Sequence, residues 1–203
     1  SLRERLRRGE FAPVYVLSGS EPFLRDIAVR TISKLAFSEG EMRDFNEDEF
    51  SLSTPENLIS ALSAAQQLPM MATRRVVRVS DVRVAATANR DTLKEDHLDA
   101  LESYLTDPSP STILVLIADE LNGNRKTAKL LVKYATVVEF KPLEQAELVK
   151  WVKGKLEETN TKIDEASLRR LISLVGHDLR RISTEVEKLI TAAMPDNVVT
   201  SDH

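Results

Sequence analysis

The chain has 203 residues, 42% of them hydrophobic, which suffices for a packed core in one large domain or two of ordinary size. Its 28 basic side chains face 32 acidic ones, a formal net charge of -4, so the whole carries no overall attraction to nucleic acid phosphates. The absence of cysteine excludes disulfides, thiolate metal sites and cysteine nucleophiles, and no apolar run approaches the length needed to cross a bilayer.

Ser1-Leu2-Arg3-Glu4-Arg5 has no apolar signal core, so a soluble, cytoplasmic protein is expected. Ser1 is not an initiating methionine, and Thr200 to His203 fall where a helix cap is expected, so the chain reads as a piece of a longer one. Pro13 precedes Val14-Tyr15-Val16-Leu17-Ser18, a short apolar run that reads as a buried strand turning at Gly19. Leu24, Ile27, Ala28, Thr31 and Leu35 recur at helical spacing and predict a helix with Arg25, Arg30 and Lys34 outside. Glu41 to Asn46 is a weaker, acidic strand candidate. Ser53-Thr54-Pro55-Glu56 offers a helix start, followed by the stripe Leu58, Ile59, Leu62 and Ala65. Arg75 to Val79 supplies the next strand, and 81–91 reads as a mobile loop.

Leu98, Leu101, Tyr104 and Leu105 mark another helix, ended by Asp107-Pro108-Ser109-Pro110. Thr112 to Ile117 is continuously apolar, as a strand covered on both faces requires. Lys126 to Tyr134 predicts a short helix and Thr136 to Phe140 the last strand. Strands alternating with helices imply a parallel sheet covered on both sides, an α/β class. After Lys141-Pro142 only helices follow: Glu144 to Thr159 with Ala146, Val149, Val152 and Leu156 on one face; a second capped by Asp164, stapled by Ile163 on Leu168 and ended by Gly176; a third with Leu179, Ile182, Val186, Leu189 and Ala193. Two domains are therefore expected, 1–141 and a three-helix bundle at 142–203.

A parallel sheet followed by a helical bundle is the outline of a nucleotide-driven motor, which directs attention to the first strand-to-helix turn. It reads Ser18-Gly19-Ser20-Glu21-Pro22-Phe23-Leu24. A phosphate loop needs several glycines, a lysine and a hydroxyl for magnesium, whereas here there is one glycine and no lysine, Pro22 lacks an amide hydrogen and Glu21 repels phosphate. Asp119 and Glu120 imitate an acidic strand end that holds magnesium, but without the loop they are expected to cap the turn into Leu121-Asn122-Gly123. His97, His177 and His203 lack ligand-like spacing, and no catalytic residue, cofactor or metal site is expected.

The remaining candidate is Gln66-Gln67-Leu68-Pro69-Met70-Met71-Ala72-Thr73-Arg74-Arg75. Pro69 biases Leu68 away from helical geometry, so the segment should leave its helix and cross open surface before the next strand. Methionine, unbranched and polarizable, suits a surface that adapts to a partner pocket, although such a pair can also fold back as core filler. Beside it lie Arg74, Arg75 and Arg78, and near the start Arg3, Arg5, Arg7 and Arg8; either cluster can be a solvated face.

Four stretches together resemble the delta subunit family of the bacterial DNA polymerase III clamp loader: Pro13 to Leu24, Arg74 to Val79, Val138-Glu139-Phe140-Lys141-Pro142-Leu143 and Val175-Gly176-His177-Asp178-Leu179-Arg180. The resemblance covers essentially the whole chain and implies an AAA+-like fold with a degenerate phosphate loop. It also implies a subunit that opens a ring-shaped sliding clamp, the beta subunit, without hydrolysing ATP. The family's clamp-binding apolar pair falls on Met70 and Met71, with Leu68 and Gln66 or Gln67 completing a glutamine-led motif; the commoner pair is Leu-Phe. Arg180 resembles the second sensor arginine of AAA+ proteins, with a salt bridge or interdomain contact as its expected role. A helical collar, expected beyond His203, would join the other loader subunits, delta prime and gamma/tau, and DNA is met only within that complex. Two rival readings are a divergent AAA+ ATPase and a DNA-binding module using Arg74, Arg75 and Arg78.

Overall fold

The computed structural model describes residues 2–194 and the backbone of 198–199. It divides into two compact units, 1–141 and 142–203. In the first, strands β1 (Val14–Ser18), β2 (Glu47–Ser51), β3 (Arg75–Val84), β4 (Thr112–Leu121) and β5 (Thr136–Glu139) form one parallel sheet in the order β2-β3-β4-β1-β5. With the first strand near the middle, the crossovers run to both sides and place helices on both faces. Alternation along β1 divides the core. Val14 and Val16 join α3 (Asn57–Ala65), α4 (Leu98–Thr106) and α5 (Lys126–Tyr134), whereas Tyr15 and Leu17 join α1 (Leu2–Arg7) and α2 (Pro22–Ala36).

Several expectations are corrected. The acidic strand begins at Glu47, because 43–45 winds into a single 3₁₀ turn and Asn46 is fully buried. Both later strands run longer than their apolar runs. β3 continues through Val84 across an irregularity at Asp81, whose φ is +57°, so 81–84 is strand and not loop. β4 continues to Leu121, so Asp119 and Glu120 are strand residues and do not cap a turn. Helix α3 starts at Asn57, where the Asn57 side chain donates to the Ser51 carbonyl, and Ile59 points to solvent while Ala61 and Ala64 are buried. The buried face of α2 is turned by one residue from its expected stripe, to Arg25, Ala28, Val29, Ile32 and Ala36.

The second unit contains α6 (Gln145–Glu157), α7 (Glu165–Val175) and α8 (Leu179–Ala192). Their ends follow local chemistry: a reciprocal Glu144–Glu147 capping box, Asp164 accepting from the Ala166 and Ser167 amides, Gly176 at φ +83°, and Asp178 accepting from the Arg181 amide. On α6, Leu148 is buried and Ala146 exposed, contrary to expectation. A short parallel pair, β6 (Lys162–Ile163) with β7 (Val198–Val199), has no counterpart in the sequence reading. The expected cap at 200–203, His203 included, lies outside the described residues.

Candidate protein-binding site

Helix α3 ends at Ala65 because Pro69 disfavours helical geometry at Leu68 and cannot donate an amide. The Gln66 and Gln67 amides still reach back to Leu62 and Ala64, after which the chain crosses the surface to β3. There Leu68 is 81%, Met70 55% and Met71 74% exposed, and Gln66 and Gln67 are exposed as well. The side chains are open, yet the backbone is fastened. The Met70 amide donates to Asn46 Oδ1 at 2.6 Å, and Asn46 Nδ2 donates to the Met70 carbonyl at 2.7 Å, so one buried side-chain amide pairs with this residue as a neighbouring strand would. Asn46 Nδ2 also donates to the Met42 carbonyl at 2.7 Å.

Three residues further on, at Thr73, Glu41 grips the other side. Its carboxylate accepts from the Ser38 and Thr73 amides, each at 2.6 Å. The Ser38 amide, then that of Thr73, holds the carboxyl below its ordinary range. Between these anchors Met71 sits at φ +52°, a left-handed conformation costing a non-glycine residue about 1 kcal/mol. The loop is therefore fixed in outline while its apolar side chains face solvent.

Nothing in the residue pattern marks Asn46 or Glu41 as partners of this loop, because both sit in the stretch read as a strand. It also passed over Met42 and Phe45, which are exposed on the same stretch. A Met-x-x-Phe spacing in acidic surroundings with no matching period was the available signal.

The neighbouring arginines are committed within the molecule. Arg75 is buried and pairs with Asp48 at 2.6 Å, Arg78 lies 3.4 Å from Glu47 and 3.1 Å from Glu49, and Arg74 stacks 4.7 Å from the centroid of the Phe11 ring. Arg43 also pairs with Glu47. Burial is the largest single influence on the Glu47 carboxyl and raises it, but the hydrogen bonds from Arg43 and Ser33 and the charges of Arg78 and Arg43 together outweigh it, and the net direction is down. These pairings neutralise the acidic edge strand β2 and leave little free cationic surface for phosphates.

The first strand-to-helix turn is closed by protein. Gly19 adopts φ +111°, and a Cβ there would stand 2.1 Å from the Phe140 carbonyl oxygen. That same oxygen accepts from the Glu21 amide, the Phe140 amide donates to Ser18, and the Glu21 carboxylate caps α2 by accepting from Phe23. Across the strand ends, Arg25 donates to the Ala118 carbonyl at 2.6 Å and pairs with Asp119 at 3.0 Å. Amides that a phosphate loop would turn outward are used internally, and the carboxylate read as a magnesium mimic has a guanidinium as its partner. Arg180 lies exposed near the start of α8, and His177 is exposed too. Among the described residues no group of three His, Cys, Asp or Glu could hold a metal ion, and no helix is long and apolar enough to cross a membrane.

Comparison with known proteins matches this architecture. The family model described as DNA polymerase III, delta subunit, matches residues 15–141. DNA polymerase III subunit delta of Bacillus subtilis is 31% identical over 97% of this chain, which spans 57% of that protein. The solved structure of the Bacillus subtilis DNA clamp loader delta protein superposes with a TM-score of 0.76 at 28% identity, over 99% of this chain and 59% of that one. A polymerase III gamma subunit-related protein from Thermotoga maritima shares the fold, with a TM-score of 0.55 at 15% identity over 93% of this chain and 58% of its own. A five-stranded parallel sheet of this order, with a family match over well more than half the chain, assigns the chain to the DNA polymerase III, delta subunit family.

Proposed function

We propose that this chain is the clamp-engaging, non-catalytic portion of a clamp-loader subunit. It presents Met70 and Met71, with Leu68, to an apolar pocket on the ring-shaped sliding clamp, and Gln66 and Gln67 flank that contact. The observation that carries the reading is the pinned loop: its backbone is tied by Asn46 and Glu41 while three large apolar side chains stand in solvent. Burying each methionine contributes about 1.5 to 3 kcal/mol, enough to anchor a contact whose loop is ordered before binding. Opening the ring then needs no fuel from this chain. A ligand that prefers the opened clamp shifts the ring by its differential affinity and no further.

The closed turn at Gly19 favours this reading over a divergent ATPase, and the internally paired Arg75 and Arg78 favour it over a DNA-binding module. Assembly with delta prime and gamma/tau belongs, in this proposal, to a collar domain outside these residues, as does any approach to DNA. Arg180, exposed near the start of α8, serves the second unit.

The test is a titration of purified sliding clamp with this chain and with Met70→Ala/Met71→Ala. The double variant should bind at least a hundredfold more weakly with its far-ultraviolet dichroism unchanged. Affinity equal to that of the unaltered chain would refute the assignment.

A further inference from the structure

We propose that the same contact extends beyond the loop to a second segment, with Met42 and Phe45 covered by the sliding clamp together with Met70 and Met71. This inference rests on the proposed function above and widens its site. Met42 is 44% and Phe45 58% exposed. They join Leu68, Met70 and Met71 in two short segments, whereas the other large exposed apolar side chains of the described residues, Ile59, Val132, Leu174 and Met194, are scattered singly. Scattered exposure is ordinary; clustered exposure marks an interaction surface.

The two segments are physically joined. One nitrogen, Asn46 Nδ2, donates to the carbonyls of both Met42 and Met70, and Asn46 follows Phe45 directly in the chain. A partner seated on Met70 therefore meets the 42–45 turn held at a fixed offset. Area points the same way. A stable protein contact covers about 800 Å² on each partner, more than three side chains of one loop offer, and a phenyl ring adds a large share of what is missing. Among the described residues Phe45 is also the one aromatic in the set of large exposed apolar side chains, and aromatic anchors are enriched at binding hot spots. Charge favours an apolar protein partner over a phosphate-bearing one, because Arg43 and Arg78 at the border are paired with Glu47 and the Glu41 carboxylate is capped by amides.

The experiment titrates the sliding clamp with four forms of the chain: unaltered, Met42→Ala/Phe45→Ala, Met70→Ala/Met71→Ala and Val132→Ala. The Met42/Phe45 double variant should bind about tenfold more weakly or worse, and Val132→Ala should match the unaltered chain. Phe45→Gln, which keeps side-chain bulk but not apolarity, should reproduce most of the loss if the double variant melts early. Unchanged affinity in both Phe45 variants, with binding lost in Met70→Ala/Met71→Ala, would overturn the wider surface and leave the proposed function standing. If the unaltered chain fails to bind, the function itself falls and this inference with it. A self-association seen by sedimentation and lost in Met42→Ala/Phe45→Ala, with clamp affinity intact, would assign the surface to a second copy and overturn the proposal.

Discussion

The two chain crossings that matter most, the turn after β1 and the loop after α3, solve the same problem in opposite ways. Both leave a secondary-structure element abruptly, and both must satisfy backbone groups that no helix or strand serves. At Gly19 the solution is inward: the Phe140 carbonyl fills the space a side chain would need, and the Glu21 amide and carboxylate are consumed within the turn. At Met70 and Met71 the backbone is served by the buried Asn46 and by Glu41, which leaves the side chains of Leu68, Met70 and Met71 outside. One site is shut by its own chain; the other is held open by it. A loop becomes a docking element when its polar backbone is satisfied from below and its side chains are not.

The contrast is most sharply broken at Gly19. Gly19→Ala forces a Cβ against a backbone carbonyl at a positive φ, and a destabilisation of about 3 kcal/mol or more is expected. Chemical denaturation measures it; a loss below about 1 kcal/mol would mean that β5 yields easily and the turn is less closed than described. Next comes Asn46→Ala. Removing the amide leaves the Met70 amide and carbonyl without their partner, costing about 2 kcal/mol and speeding hydrogen exchange at Met70. Exchange at Met70 as slow as in the unaltered chain would show that the loop is ordered by other means.

Arg25→Met is expected to cost about 1 to 2 kcal/mol, because the buried Ala118 carbonyl loses a donor, whereas Asp119 is partly exposed and can rehydrate and the methionine keeps the packing. A loss several times larger in urea unfolding would make the Arg25–Asp119 pair a keystone of the sheet.

The smallest effect concerns Glu41. Its folded-state carboxyl titrates below the ordinary carboxylate range, so its contribution is fully present above that range and is lost as pH falls through the lower folded value. Amide exchange at Thr73, corrected for its intrinsic pH dependence, should accelerate only on acidification below the usual carboxylate range. Glu41→Gln should weaken that pH dependence, and a dependence surviving the substitution would point to another acid.

How much of this was legible in the residues depends on how local its cause was. Lys126 to Tyr134 was read to its boundaries, and the bundle caps at Asp164 and Gly176 were read in advance, because a few adjacent residues decide each. Strand β2 was not, since Glu47, Asp48 and Glu49 carry no apolar alternation; it exists because Arg43, Arg75 and Arg78 neutralise it and β3 pairs with it. Arg25 was placed outside its helix for a similar reason: what draws it in, the Ala118 carbonyl and Asp119, lies more than ninety residues away. In the candidate site, Pro69 announced the crossing and the methionines announced its chemistry, but Asn46, Glu41, Met42 and Phe45 sit in a segment whose period suggested something else.

The sequence by itself determined that strands alternate with helices, that a helical bundle follows Lys141, and that the first turn lacks the residues a phosphate loop needs. These follow from side-chain period, capping chemistry and the presence or absence of particular groups, all short-range. Only the tertiary structure decided that the methionines stay in solvent, since exposure depends on whether distant segments cover a side chain or hold its backbone instead. Here Asn46, twenty-four residues away, does the latter.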